Sequence, residues 1–128
     1  MKNFSQWNRQ KQEIHESDGT VFFHEREIWF AKLGVNVGYE QDGNGKGFLR
    51  PVLIIKKFSN NVFWGLPLTK TKKSGKYYFE FEFIKNIKSY AILSQMKLFD
   101  VKRLQYLAGH INKEDYAKVK KSLKQFIE

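Results

Sequence analysis

The stretch RPVLIIKKFSNNVFWGLPL, residues 50–68, decides the fold because two apolar segments flank a short polar turn. Residues 52–55 form a continuous apolar run, which is typical of a strand buried on both faces. Ser59-Asn60-Asn61 is a turn signal, so residues 62–68 are expected to return as the second strand of a hairpin. Pro67 has no backbone N–H and therefore predicts a sheet edge or a bulge in that strand.

The segment KYYFEFEF, residues 76–83, has the clearest strand pattern in the chain. Its aromatic and charged residues alternate, so the two glutamates are expected on the face opposite to the phenylalanines. Other patterns predict strands over 26–33 and 89–98, a short helix from Asp100 to Leu107 that Gly109 ends, and a last helix capped by Asn112. The apolar stripe of that last helix consists of Tyr116, Val119, Leu123 and Phe126.

Five strands followed by helices predict an α+β, mainly β, domain. A small antiparallel sheet of this kind closes most simply as a strongly curved, SH3-like open barrel with the C-terminal helices packed against it. Glycines crowd residues 34–47, which predicts a long flexible loop. Apolar residues at helical spacing near the start predict an N-terminal helical arm, so we expect an extension over 1–25 and the main domain over 26–128.

Charge gives the first indication of a partner. The 128 residues include 23 Lys and Arg against 13 Asp and Glu, a formal net charge of +10. Such an excess attracts nucleic acids, although it is also compatible with a merely basic soluble protein or with binding to an anionic membrane surface. The chain has no apolar run long enough to span a bilayer and no signal-peptide pattern, so no membrane segment is expected. The lack of cysteine excludes disulfides and fits a cytoplasmic location.

Several kinds of active site are not supported by the residues present. His15, His24 and His110 are isolated and lack metal-ligand spacing, so neither a metal site nor a histidine-pair ribonuclease is indicated. The segment DGNGKG, residues 42–47, is not a phosphate-binding loop, because Gly47 stands where Ser or Thr is required. No G-x-S-x-G element of a serine hydrolase occurs. We therefore expect no metal and no cofactor.

Four segments resemble, in the same order, the motifs of the MazF/PemK toxins. They are Lys32-Leu33-Gly34 with Gly38-Tyr39-Glu40-Gln41, then Arg50-Pro51 with the apolar run after it, then Pro67-Leu68-Thr69, and then AILSQMK at 91–97. Asp100 followed by Arg103-Leu104 also matches the family's pattern, and the similarity extends from about residue 26 to residue 126.

The resemblance implies a CcdB/PemK-like fold and a toxin of a type II toxin–antitoxin system. Such a toxin is a metal-independent endoribonuclease, or mRNA interferase, which cuts single-stranded RNA and arrests growth. The resemblance also implies a cytoplasmic homodimer that is neutralised by a small antitoxin. An acidic, partly disordered antitoxin segment would be attracted to so basic a protein.

The resemblance implies three catalytic residues. RNA cleavage without a metal uses the neighbouring 2′-hydroxyl as the nucleophile, and charge grows on the phosphate in the transition state. Arg50 is expected to stabilise this charge, because a guanidinium binds two phosphate oxygens at once. Thr69 would donate its hydroxyl to the same phosphate, and Glu40 would be the general base or would orient Arg50. Without the resemblance, the three are also compatible with a surface arginine, an ordinary strand threonine and a solvated loop carboxylate.

Further residues are expected to contact the RNA chain. Gln95 would read a base edge or brace the site. The basic loop after the third strand is expected to follow the phosphates through Lys70, Lys72, Lys73 and Lys76. Such a charge run is also typical of an ordinary solvated surface.

Two other functions are compatible with the same fold. A gyrase poison of the CcdB type acts through its C-terminal end, typically with an exposed Trp, whereas this sequence ends in Gln125-Phe126-Ile127-Glu128. A non-catalytic nucleic-acid-binding module would bind RNA in a salt-sensitive way and release no product.

Overall fold

The computed structural model describes residues 21–33 and 49–127. These residues form seven strands, two short 3₁₀ turns and one α-helix, α1, which spans Lys113–Phe126. The strands are β1 (Glu27–Lys32), β2 (Leu49–Lys57), β3 (Val62–Thr69), β4 (Tyr78–Ile84), β5 (Ile87–Ile92), β6 (Lys97–Asp100) and β7 (Leu104–His110).

The order of the strands explains why the sheet curls. They pair antiparallel in the order β4-β5-β3-β2-β1-β7, and β6 pairs with the first half of β3. In the path β6-β3-β2-β1-β7, the two edge strands are joined only by a 3₁₀ turn at Val101–Arg103. The edges of a flat five-stranded sheet lie about 19 Å apart, whereas four peptide units span at most about 14 Å. The sheet therefore bends until β6 and β7 meet, which confirms the predicted curved, open-barrel sheet.

Strand β2 separates two layers of the core, as its continuous apolar run predicts. Val52 and Ile54 point into the curled sheet, on the side called here the interior face. Leu53 and Ile55 point to the other side, the helix face, where Val119 of α1 covers them. All of these side chains are buried. A strand with core on both sides has no polar face, which is why the sequence shows no alternation here.

The predicted strand over 89–98 is wrong as a single element. Strand β5 ends at Ile92, a 3₁₀ turn covers Leu93–Gln95, and β6 starts at Lys97. The break arises because β5 pairs with the end of β3, whereas β6 pairs with its beginning. Pro67 lies between these two paired parts, inside the sheet and not at its edge. A proline is tolerated there because β3 changes its neighbour on that side at this point.

The predicted helix from Asp100 to Leu107 is also wrong. The Asp100 carboxylate does cap a turn, since its Oδ1 accepts a hydrogen bond of 2.8 Å from the backbone N–H of Lys102. Only Val101–Arg103 is helical, and β7 follows immediately because Leu104 pairs with Ala31 of β1. Ladder pairing along a whole strand outweighs one local cap.

The C-terminal helix agrees with the prediction, although the described residues contain one such helix and not several. Asn112 caps it, and its Oδ1 accepts a hydrogen bond of 2.7 Å from the backbone N–H of Asp115. The predicted apolar stripe faces the core, with Tyr116 and Val119 buried and Leu123 and Phe126 packed beside them.

Most of the predicted N-terminal arm, residues 1–20, lies outside the described residues, as does the glycine-rich segment 34–47. Residues 21–25 precede β1, and Phe23 among them is fully buried in the interior layer. Lys57 holds this segment, because its Nζ donates a hydrogen bond of 2.9 Å to the Phe23 carbonyl. The division of the chain at residue 25 stays a prediction. Within the described ranges, no helix has the length and apolar character needed to cross a bilayer.

Candidate active site

Arg50 and Thr69 lie side by side at one end of the curled sheet. The pairing of β2 with β3 reaches Val52 and Pro67, and Arg50 and Thr69 each lie two residues beyond that last pair. Alternate residues of a strand share a face, so both side chains lie on the interior face. The Arg50 guanidinium lies near Thr69, because its Nη1 donates a long hydrogen bond of 3.4 Å to the carbonyl oxygen of the preceding residue, Leu68. The structure thus brings the predicted cation next to the predicted hydroxyl.

The hydrogen bonding of the Thr69 side chain leaves its O–H able to donate a hydrogen bond. The residue is only 6% exposed, and its Oγ1 accepts a hydrogen bond of 3.2 Å from the backbone N–H of Thr71. A hydroxyl has one proton to donate and two acceptor positions. The bond from Thr71 uses an acceptor position, so the O–H of Thr69 is left for another partner.

The basic loop between β3 and β4 begins directly after Thr69, and residues 70–76 are all exposed. It carries the four lysines predicted to contact RNA, Lys70, Lys72, Lys73 and Lys76. Its far end is tied to the turn that contains Gln95, because the backbone N–H of Leu93 donates a hydrogen bond of 2.8 Å to the Tyr77 carbonyl. Gln95 itself is half-buried. The loop therefore starts at Thr69 and ends beside the turn that carries Gln95.

A second guanidinium lies at the same end of the sheet. Arg103 Nη1 donates a hydrogen bond of 3.0 Å to the carbonyl of Lys32, the last residue of β1. The preceding residue, Ala31, pairs with Arg50 of β2. Arg103 thus adds positive charge near the Arg50–Thr69 pair, a position that its match to a family motif did not by itself reveal.

Tyr90 is a neighbour of the site that belongs to none of the sequence motifs. It lies in β5, pairs with Thr69 and is 4% exposed. The sequence gives no signal for this position, because the pairing of β5 with the end of β3 depends on the turn at Leu93–Gln95.

Glu40, the predicted general base, lies outside the described residues, so its distance from Arg50 stays a matter of prediction. Over residues 21–33 and 49–127, no three His, Asp or Glu side chains are close enough together to hold a metal ion. His24 interacts with a carboxylate instead, since its Nδ1 lies 3.2 Å from Oε2 of Glu27.

The chain matches a known protein family. The family model for PemK-like, MazF-like toxins of type II toxin–antitoxin systems matches residues 24–127. A comparison with curated protein sequences gives no match.

Several solved structures share the fold. MazF from Deinococcus radiodurans has a TM-score of 0.67 and 16% identity, over 84% of this chain and 97% of that one. The Mycobacterium tuberculosis toxin MazF-mt6 has a TM-score of 0.61 and 17% identity, over 80% and 96%. An endoribonuclease in complex with its cognate antitoxin from a mycobacterial species has a TM-score of 0.62 and 12% identity, over 83% and 95%.

Structural likeness at these identities concerns the fold alone. The family model, in contrast, covers almost all of the described residues, including β2 with Arg50 and β3 with Thr69. The chain belongs to the family of PemK-like, MazF-like toxins of type II toxin–antitoxin systems.

Proposed function

We propose that this toxin is a metal-independent endoribonuclease that cuts single-stranded RNA by attack of a 2′-hydroxyl on the adjacent phosphate. One observation carries the proposal: the Arg50 guanidinium donates to the Leu68 carbonyl, and the residue that follows Leu68 is the buried Thr69. A cation and a hydrogen-bond donor close to each other can together stabilise the negative charge that grows on a phosphate during the reaction.

In the proposed reaction, the 2′-oxygen attacks phosphorus and the bond from phosphorus to the 5′-oxygen breaks. The products are a 2′,3′-cyclic phosphate and a free 5′-hydroxyl. A base removes the proton of the 2′-hydroxyl, and an acid returns one to the leaving 5′-oxygen. DNA lacks the nucleophile, so the mechanism itself selects RNA.

Arg50 would stabilise the pentacoordinate transition state through its positive charge. A guanidinium presents two parallel N–H groups to two phosphate oxygens and stays protonated in proteins. A group that stays protonated is a poor base, so we assign proton removal to Glu40, whose alternative role would be to orient Arg50. Thr69 would donate its free O–H to one of the same oxygens.

The basic loop would guide single-stranded RNA to this phosphate. Its four lysines, Lys70, Lys72, Lys73 and Lys76, are exposed and follow Thr69 directly, so they suit successive phosphates of one strand. Gln95, at the far end of that loop, would contact a base edge. Affinity for RNA should therefore fall steeply as salt is raised.

Two protein partners are proposed as well. An antitoxin with an acidic segment would bind the basic end of the sheet, and a formal charge of +10 favours that encounter. A second copy of the chain would form a homodimer. An exposed apolar patch supports self-association: the rings of Phe58 and Trp64 are 4.9 Å apart, and Leu98 pairs with Trp64.

The direct test is incubation of the purified protein with a long single-stranded RNA transcript in the presence of EDTA. We expect fragments with 5′-hydroxyl and 2′,3′-cyclic or 3′-phosphate ends. An oligonucleotide with deoxyribose at the attacking nucleotide of a mapped site should stay intact. Cleavage of that deoxy oligonucleotide, or full dependence on added metal, would contradict the proposal.

The Arg50 assignment is tested with Arg50→Lys, which keeps the charge but loses the paired N–H groups. We expect kcat to fall about 100-fold or more. Lys118→Arg is the matched control, because it exchanges the same two residue types at an exposed position of α1 and also leaves the net charge unchanged. Intact RNA together with inhibited DNA supercoiling would instead favour a gyrase poison, and salt-sensitive RNA binding without products would favour a binding module.

A further inference from the structure

Tyr90 occupies a position beside the Arg50–Thr69 pair for which the proposed reaction assigns no role. Strand β5 lies between β3 and β4, and Tyr90 pairs with Thr69 on one side and with Glu80 on the other. Paired residues of antiparallel strands project from the same face, so Tyr90 belongs to the interior face with Thr69. Arg50, Thr69 and Tyr90 thus form one row across β2, β3 and β5.

The spacing of this row suits a single phosphate. Thr69 and Tyr90 are directly opposite each other, so their Cβ atoms lie about 5 Å apart. On the other side of Thr69, the Arg50 guanidinium reaches the carbonyl of the preceding residue, Leu68. Arginine and tyrosine are both long side chains. A phosphate bound over Thr69 is therefore within reach of a group from each side.

The ring of Tyr90 is held in place while its hydroxyl stays available. The residue is 4% exposed, so packing restricts the ring. Among residues 21–33 and 49–127, the structure shows no hydrogen bond for the Tyr90 hydroxyl, and no enclosed side-chain polar atom lacks a partner. A hydroxyl that has no partner and is not enclosed has to reach the surface.

The negative charge next to Tyr90 is neutralised by an ion pair, so an anion can bind nearby. Glu80 pairs with Tyr90 and would by itself repel a phosphate. Lys88 Nζ lies 3.2 Å from Glu80 Oε2, and this ion pair offsets the negative charge. The hydrogen bond to Glu80, and then the charge of Glu80, raise the pKa of Lys88, so the ammonium stays protonated at neutral pH.

We propose that Tyr90 is a further catalytic residue, which donates its phenol hydrogen to a nonbridging oxygen of the RNA phosphate held by Arg50 and Thr69. This inference rests on the proposed endoribonuclease function. The bond strengthens as negative charge grows on the phosphate, so its contribution belongs to the transition state and appears in kcat more than in KM.

The test is Tyr90→Phe in the full-length toxin, which keeps the ring and removes only the hydroxyl. With an RNA oligonucleotide that contains a mapped cleavage site, we expect kcat to fall about 10- to 100-fold and KM to change less than about threefold. The melting temperature should stay the same, because the hydroxyl has no partner within the described protein. Binding of the uncleavable deoxy oligonucleotide should also be nearly unchanged.

Tyr116→Phe is the matched control. This tyrosine lies on the helix face, and its hydroxyl donates a hydrogen bond of 2.7 Å to the Ile55 carbonyl. Loss of the Tyr116 hydroxyl should lower the melting temperature and leave kcat unchanged below that temperature. Tyr90→Phe, in contrast, should lower kcat and keep the melting temperature.

The outcomes separate the two proposals. A wild-type protein that cuts no RNA would contradict the proposed function, and the role of Tyr90 with it. If the wild type cuts RNA and Tyr90→Phe is equally fast, only the role of Tyr90 is wrong. A slower Tyr90→Phe enzyme with a lower melting temperature or weaker binding of the deoxy oligonucleotide would make Tyr90 a structural residue, which also overturns the inference.

Discussion

Thr69→Val should reduce the activity more than Thr69→Ser does, whereas Thr69→Ser should reduce the stability more. Thr69→Val keeps the branched shape but removes the hydroxyl, whereas Thr69→Ser keeps the hydroxyl and removes a methyl group. If the hydroxyl donates to the phosphate, Thr69→Val should lower kcat about 100-fold or more, since one preorganised donor is lost. Thr69→Ser should keep activity within a few-fold of the wild type.

The stability changes follow from the burial of Thr69. Its Oγ1 accepts a hydrogen bond from the Thr71 N–H, but Thr71 is exposed and water can replace that bond. Thr69→Val should therefore lower the free energy of unfolding by less than about 1 kcal/mol. Thr69→Ser removes a methyl group at a position only 6% exposed, which should cost about 1 kcal/mol.

The assay combines cleavage of end-labelled RNA in EDTA with thermal unfolding of the same preparations. The more stable variant should be the inactive one, so a general loss of folding cannot explain the result. The reasoning is refuted if Thr69→Val cuts RNA within threefold of the wild-type rate, or if Thr69→Ser is as slow as Thr69→Val.

Two further predictions concern the core. Burial, and then the charge of Glu25, raises the pKa of Tyr116 from 10.0 to about 12. The folded state therefore favours the neutral phenol, so the contribution of Tyr116 to the free energy of unfolding is complete below pH 10 and is lost as the pH rises towards 12. Alkaline unfolding curves should show a loss of about 1–2 kcal/mol after solvent screening, and Tyr116→Phe should abolish this pH dependence. Gly65→Ala should destabilise the protein by about 1–3 kcal/mol, because the new Cβ would lie 2.6 Å from Val52 Cγ1 and 3.0 Å from carbons of Phe63 and Phe99. Denaturant unfolding measures this loss, and an unchanged midpoint would mean that Val52 and the two rings can move aside.

The strand hairpin, the alternating strand and the last helix were predictable because short-range signals agree with the fold. The apolar run in β2 is buried on both faces, the glutamates of β4 are exposed, and Asn112 caps α1. Each signal lies within one short continuous stretch of the sequence. Long-range pairing adds to them and does not compete with them.

The two wrong predictions have the opposite cause. The turn at Leu93–Gln95 exists because the end of β3 pairs with β5, whereas its beginning pairs with β6. The residues of the turn themselves do not indicate this change of partner strand. Asp100 and Gly109 signal a helix locally, but β7 forms because β1 offers an open edge in the curled sheet. Here the free energy of strand pairing exceeds that of a single helix cap.

The sequence by itself determined that the protein has a basic, mainly β domain, and its motifs singled out Arg50 and Thr69. Only the tertiary structure decided that these side chains lie next to each other, that Tyr90 continues their row, and that Arg103 comes to the end of β1. Such neighbours are far apart in the chain, and the register of strand pairing that joins them is set by how the whole sheet curls.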